Sequence, residues 1–147
     1  MLMAEEVSGL AECIRTRFSE ATVHRFEEPV APASGEFSVT LKQEIRKSDS
    51  LSQTSVERQY ALVYYANQAE AAVVAMETLS RYLMNEKEAA SAEAGWLRID
   101  SITIAAAEKL ENGLHKCSGT LQTTAREPVA FKPHDKINRM EVRMTNN

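Results

Sequence analysis

The sequence is poor in cysteine, glycine and proline and has no long apolar run. Each shortage excludes a class. Its two cysteines, Cys13 and Cys117, lie far apart and share no metal-type spacing, so two reduced, packed thiols are expected rather than a disulfide framework or a zinc site. Five glycines and four prolines rule out collagen-like or low-complexity chains. The apolar stretches Tyr60 to Ala66 and Ile102 to Ala107 fall short of the ~18 residues a bilayer span requires. Positive charge is outnumbered. Lys and Arg number 17 against 21 Asp and Glu, a formal charge of -4. Nucleic-acid binding is not expected, because it needs a basic stripe to displace counterions. The N-terminal Met1-Leu2-Met3-Ala4-Glu5-Glu6 has no basic segment before an apolar one, so no secretory signal is expected.

What is present is an ordinary globular composition. The chain has 147 residues, 44% hydrophobic and 26% charged, enough for one domain with its own core. Residues 2–18 predict an amphipathic helix. Met3, Val7, Leu10, Ala11, Ile14 and Phe18 share one face, with Glu5, Glu12 and Arg15 elsewhere. Thr22 to Glu27 predicts a short strand before a Pro/Ala loop from Glu28 to Gly35. From there the period becomes two. Phe37, Val39, Leu41 and Ile45 are expected on the core face, and Glu36, Ser38, Thr40, Lys42, Glu44 and Arg46 on the other. A polar loop from Ser48 to Ser55 leads to a second strand, Val56 to Ala66, and the two predict a long antiparallel hairpin.

Gln68 to Asn85 predicts a second helix that buries Ala69, Ala72, Val73, Met76, Leu79 and Leu83. A polar connector precedes a strand over Trp96 to Ala106, and Asn112-Gly113 predicts a type I′ turn into a strand over Leu114 to Arg126. The expectation is an α+β domain over residues 1–126, an antiparallel sheet of four or five strands with two helices on one face. Phe37, Val39 and Leu41 should be buried with Leu79 and Leu83. Residues 127–147 are expected to form a C-terminal arm.

No catalytic constellation is legible. Gly-x-Ser-x-Gly, His-Glu-x-x-His and a Gly-rich phosphate loop are all absent. His24, His115 and His134 fall in separate segments, and neighbouring carboxylates such as Glu5-Glu6, Glu27-Glu28 and Glu86/Glu88 read as solvated faces. No enzyme activity, metal or other cofactor is expected. The tyrosines Tyr60, Tyr64, Tyr65 and Tyr82, with Trp96, leave open a small-molecule pocket as the alternative. A small enzyme whose site is assembled from distant residues is a further one.

Two features point instead to protein–protein contact. The hairpin carries mixed charges at Glu44, Arg46, Lys47, Asp49 and Arg58, a pattern that sets register and partner choice. The arm carries apolar anchors at Phe131, Met140 and Met144.

Taken together, several segments resemble the phage tail terminator family of long-tailed phages and prophages of Gram-positive bacteria. They are the helix ending at Arg17-Phe18, the strand opening Phe37-Ser38-Val39-Thr40-Leu41, and the return Arg58-Gln59-Tyr60-Ala61-Leu62-Val63-Tyr64-Tyr65. The helix with Leu79 and Leu83, the strands around Asn112-Gly113 and the end Asn138-Arg139-Met140-Glu141-Val142 complete the pattern. The Pro/Ala loop and the Ala-rich connector depart from the family's usual look. The resemblance implies a structural virion assembly protein without catalysis or cofactor. It implies a homo-oligomeric ring, usually a hexamer, that caps the tail tube. Its partners would be copies of itself, the major tail tube protein and a head-completion protein. It would be assembled in the bacterial cytoplasm and reside in the virion.

Overall fold

The computed structural model describes residues 2–86 and 98–130. Its elements run α1 (Met3–Arg17), β1 (Thr22–Arg25), β2 (Glu36–Ser48), β3 (Gln53–Ala66), α2 (Ala69–Asn85), β4 (Ile99–Ile104), β5 (Glu108–Lys109) and β6 (His115–Pro128). This is the expected α+β arrangement, with six strands rather than four or five. The sheet order is β1-β2-β3-β6-β4, and β5 also pairs with β6.

β3 is central. It pairs antiparallel with β2 from Thr54 to Tyr64 on one side and with β6 along its whole length on the other. Its inward row is Tyr60, Leu62 and Tyr64. Phe37, Val39 and Leu41 lie beside that row on β2, and Cys117, Gly119 and Leu121 beside it on β6. Both helices cover this face. Val7, Leu10, Ala11 and Ile14 of α1 and Ala72, Met76, Leu79 and Leu83 of α2 join the strand residues in one core cluster. Phe37 and Val39 are buried as expected, and Leu41 packs half-buried against them. Gly119 lets β6, Met76 and β4 approach closely here. A Cβ at this position would lie 2.9 Å from Cε of Met76 and 3.4 Å from the Thr103 carbonyl oxygen.

Four local expectations are corrected. First, β1 and β2 run parallel, with Thr22 beside Glu36 and Arg25 beside Val39. The crossover is made by the loop 26–35 without a helix. It is held by the Phe26 N–H donating to the Val39 carbonyl and the Gly35 N–H donating to the Tyr65 carbonyl. Phe26 takes a positive φ of 67° at its start and Gly35 one of 91° at its end.

Second, half of the polar segment Ser48 to Ser55 is strand. β6 is long enough to pair Gln53 with Pro128 and Thr54 with Glu127, so only 49–52 remain as the turn.

Third, the Asn112-Gly113 turn is not type I′, which needs positive φ at both positions. Only Gly113 has it. The Asn112 side chain instead accepts the Leu114 N–H, inside a wider turn closed between Leu110 and Leu114.

Fourth, Glu127 and Pro128 belong to β6, and the Val129 N–H donates to the Ser52 carbonyl. The remainder of the expected arm from Phe131 onward, and Trp96 and Leu97, lie outside the described residues.

Candidate functional site

The alternation read along β2 breaks at Lys42. Leu41 pairs with Tyr60 but Gln43 pairs with Gln59, so β2 carries one extra residue, a β-bulge. Because the side-chain period of a strand is two, this reverses the faces beyond it. Glu44 and Arg46 lie opposite Arg58 and Val56, on the same face as Phe37, Val39 and Leu41. Ile45 turns to the outer face and is exposed. Both expectations for these residues are thereby overturned.

The bulge builds a polar cluster at the edge of the core cluster. Arg58 is buried and donates through Nε to Glu44 at 2.7 Å. Its Nη1 lies 3.2 Å from Oε2 of Glu6, which is also buried. The other Glu6 oxygen accepts the Tyr60 hydroxyl at 2.6 Å and the Thr123 hydroxyl at 3.1 Å. Four segments distant in sequence thus converge on one carboxylate and one guanidinium. A buried charge is tolerated only when its hydrogen-bonding positions are filled in this way.

Burial works against the charge on Arg58, but the Glu44 hydrogen bond and the Glu6 charge outweigh it and hold the guanidinium above its ordinary value. The hydrogen bond from Arg58, helped by the charges of Arg46 and Arg58 against partial burial, holds the Glu44 carboxyl below the usual range. Burial first, then Glu6, pushes the Tyr60 hydroxyl far above its ordinary value.

Beyond the cluster the three-stranded extension is laced by ion pairs. Arg46 reaches Glu127 at 3.1 Å and Glu44 at 3.5 Å. Lys47 pairs with Glu57 at 3.2 Å, and Asp49 with Arg126 at 3.3 Å. At the tip, Leu51 is 91% exposed. Of the charged residues singled out in the sequence, Arg46, Lys47 and Asp49 are therefore on the surface around this tip. Glu44 faces inward and Arg58 is sealed inside. The anchors Phe131, Met140 and Met144 fall outside the described residues and are not placed.

The sequence reading missed Glu6, taking it for a solvated residue of an acidic pair. The helical wheel holds the signal. Position 6 falls three residues after Met3 and four before Leu10, on the buried face. A carboxylate there needs a buried cation, and Arg58 is the one that meets it.

Tyr64 packs half-buried against the core cluster. Tyr60, Tyr65 and Tyr82 are buried side chains, the first and third within the core cluster. Among the described residues no group of three or more His, Cys, Asp or Glu is placed to hold a metal ion. Cys13 and Cys117 are both buried and form no disulfide. No described helix is long and apolar enough to cross a membrane.

No protein-family model matches the chain, and no curated protein matches it. Among solved structures the chain is similar to one from the virion of a native gene transfer agent particle. The two share 15% identity over 82% of this chain and 98% of that chain, with a TM-score of 0.43. A likeness this loose assigns no role.

Proposed function

We propose that this chain is a structural subunit of a phage-like virion, and that within the virion it is the tail terminator. On this reading it acts by contact alone, with no catalysis and no cofactor. Copies assemble into a ring, expected to be a hexamer, on the last layer of the major tail tube protein. The ring's other side receives a head-completion protein. The observation that supports this most is the extension beyond the core. It is stiffened by three paired strands, held at its base by Glu6, Arg58 and Glu44, and ends in an exposed leucine among paired charges. A rigid projection with an apolar tip and a charged rim fits recognition of another protein surface. The segment resemblance to tail terminators names the surface.

The test is made in a phage or prophage that encodes the chain. Leu51→Asp and the pair Arg46→Glu with Lys47→Glu are introduced separately, and particles are counted by electron microscopy. The expected result is a folded variant protein with tails of abnormal length that fail to join heads. Tails of normal length joined to heads in both variants would remove the extension from the assembly surface. Truncation after Ala130 tests the arm bearing Phe131, Met140 and Met144 without cutting β6.

A further inference from the structure

The two edges of the sheet are built differently. On one side β1 is short and lies against α1. Its His24 is 3.3 Å from Glu36 and its Arg25 is 3.7 Å from Glu12. The free part of β2 beyond it carries Lys42, Glu44, Arg46 and Lys47 and is broken by the bulge. Short strands, charges and bulges keep an edge from recruiting another strand.

The other edge, where β4 runs on toward β5, has neither charge nor proline from Ser101 to Ala107. Ser101, Thr103, Ala105 and Ala106 are exposed along it, and among the described residues no strand pairs with its outer side. The Ala105 N–H donates inward to Ser118. By the two-residue repeat Thr103 also bonds toward β6, and the N–H and C=O groups of Ile102 and Ile104 point outward, unpaired by β6.

We propose that this edge pairs antiparallel with the same edge of a second copy, about a two-fold axis at Thr103. In that register Ile102 of each copy meets Ile104 of the other as a hydrogen-bonded pair. Both side chains are half-buried on the core face, so the apolar face continues from one copy into the next. The charges select this register over its neighbours. It sets Arg98, with a side chain 74% exposed, opposite the exposed Glu108 of the other copy, and does so at both ends. An axis at Ile104 would instead place Asp100 opposite Glu108, and one at Ile102 would leave Arg98 opposite Ala106. The irregularities agree as well. One extra residue lies between Ile99 and Ser101 and another between Ile104 and Glu108. About Thr103 these face each other across the copies, so the pairing stays in phase. The Arg98–Asp100 pair within the chain, at 3.2 Å, is surface-exposed and gives way at little cost.

Such a contact is isologous and closes at two copies, whereas a ring needs a heterologous one. It is therefore a second surface, independent of the tail reading.

The test is sedimentation equilibrium of the full chain, with circular dichroism as the check on folding. The wild type is expected to approach twice the 16.4 kDa chain mass as concentration rises. Arg98→Glu and Glu108→Arg should each raise the dimer dissociation constant by roughly tenfold. The double charge swap should restore it, a rescue that a role in folding alone would not give. Thr103→Lys, at an exposed outer-face position, should abolish the dimer. A wild-type monomer at every concentration, or a dimer indifferent to all four variants, overturns the proposal. So does a dimer that appears only after residues 131–147 are removed, because the intact chain would then cover its own edge. Tail assembly is not the readout, so failure here leaves the virion reading untouched, and the converse holds.

Discussion

Arg58 and Glu6, on the central strand and the first helix, meet as a fully buried ion pair at 3.2 Å. The pair ties the N-terminal half of α1 to the sheet at the edge of the core cluster. Arg58→Ala would leave the Glu6 carboxylate buried without its cation. It is expected to cost about 3–5 kcal/mol, read as a lower urea midpoint at neutral pH. Replacing both residues with apolar ones of similar volume should cost less than the single change, because no unpaired charge remains. A single change no worse than an ordinary surface substitution would show that water reaches the pair.

Glu44 gives the acid limb of stability. Its carboxyl is held below its ordinary value of 4.5 in the folded protein, chiefly by the Arg58 hydrogen bond. A group lowered on folding stabilises fully above its unfolded value. That contribution fades as pH falls below about 4.5 toward the lowered value. Glu44→Gln should therefore lower stability at pH 7 and flatten the decline below pH 5. A variant curve parallel to the wild type through that window would contradict the assignment.

The alkaline limb comes from buried hydroxyls. Burial raises Tyr60, Tyr65 and Tyr82 above the ordinary value of 10.0. Groups raised on folding stabilise fully below their unfolded value, and the contribution is lost as pH climbs past it. Tyrosinate absorbance should lag the ordinary titration until the protein unfolds and then rise in one step. Tyr60→Phe should remove part of that step. At neutral pH it should also cost about 1–3 kcal/mol, since Glu6 loses a donor.

Gly119 and Met76 form a test of packing. Gly119→Ala brings a methyl against the end of the Met76 side chain. That end can give, so the expected loss is about 1–3 kcal/mol rather than failure to fold. Met76→Ala alone leaves a void and should cost about 2–5 kcal/mol. The double variant should be more stable than the sum of the two losses allows, because one change fills the space that the other opens. Strict additivity in a denaturation cycle would mean that the two positions do not share that space.

The Arg46–Glu127 contact is exposed, and pairs of that kind contribute at most ~1 kcal/mol. Arg46→Glu with Lys47→Glu is thus expected to leave the melting temperature within a few degrees of the wild type. That makes the pair a clean probe of assembly. Loss of the fold in calorimetry would disqualify it.

Much of this architecture was legible in the residues. Helical spacing located α1 and α2 and period-two alternation located β2, because one-sided burial imposes those periods; residues that favour a pleated surface located β3, and the Asn112-Gly113 turn pointed to β6. Three things were not. The bulge at Lys42 has no glycine or proline to announce it, and everything beyond it was assigned to the wrong face. The buried carboxylate of Glu6 sat beside Glu5 and was read as part of a solvated pair. Its justification lies in Arg58, which only the folded chain brings near. The parallel pairing of β1 depends on how the loop 26–35 crosses, a tertiary choice that local composition does not encode. Of the candidate assembly residues, charge alone singled out Arg46, Lys47 and Asp49, which are exposed. The same criterion singled out Arg58, which the fold buries.

The core cluster takes nothing from β2 beyond Leu41, from β3 before Tyr60, or from β6 beyond Leu121. The amides of one continuous hairpin should therefore exchange with solvent deuterium by two routes. Those flanking Phe37, Val39 and Leu62 can open only when the whole domain does. Those from Arg46 to Thr54 can open by a smaller excursion that breaks surface ion pairs and leaves the core standing. The Glu6–Arg58 contact marks the boundary between the two regimes.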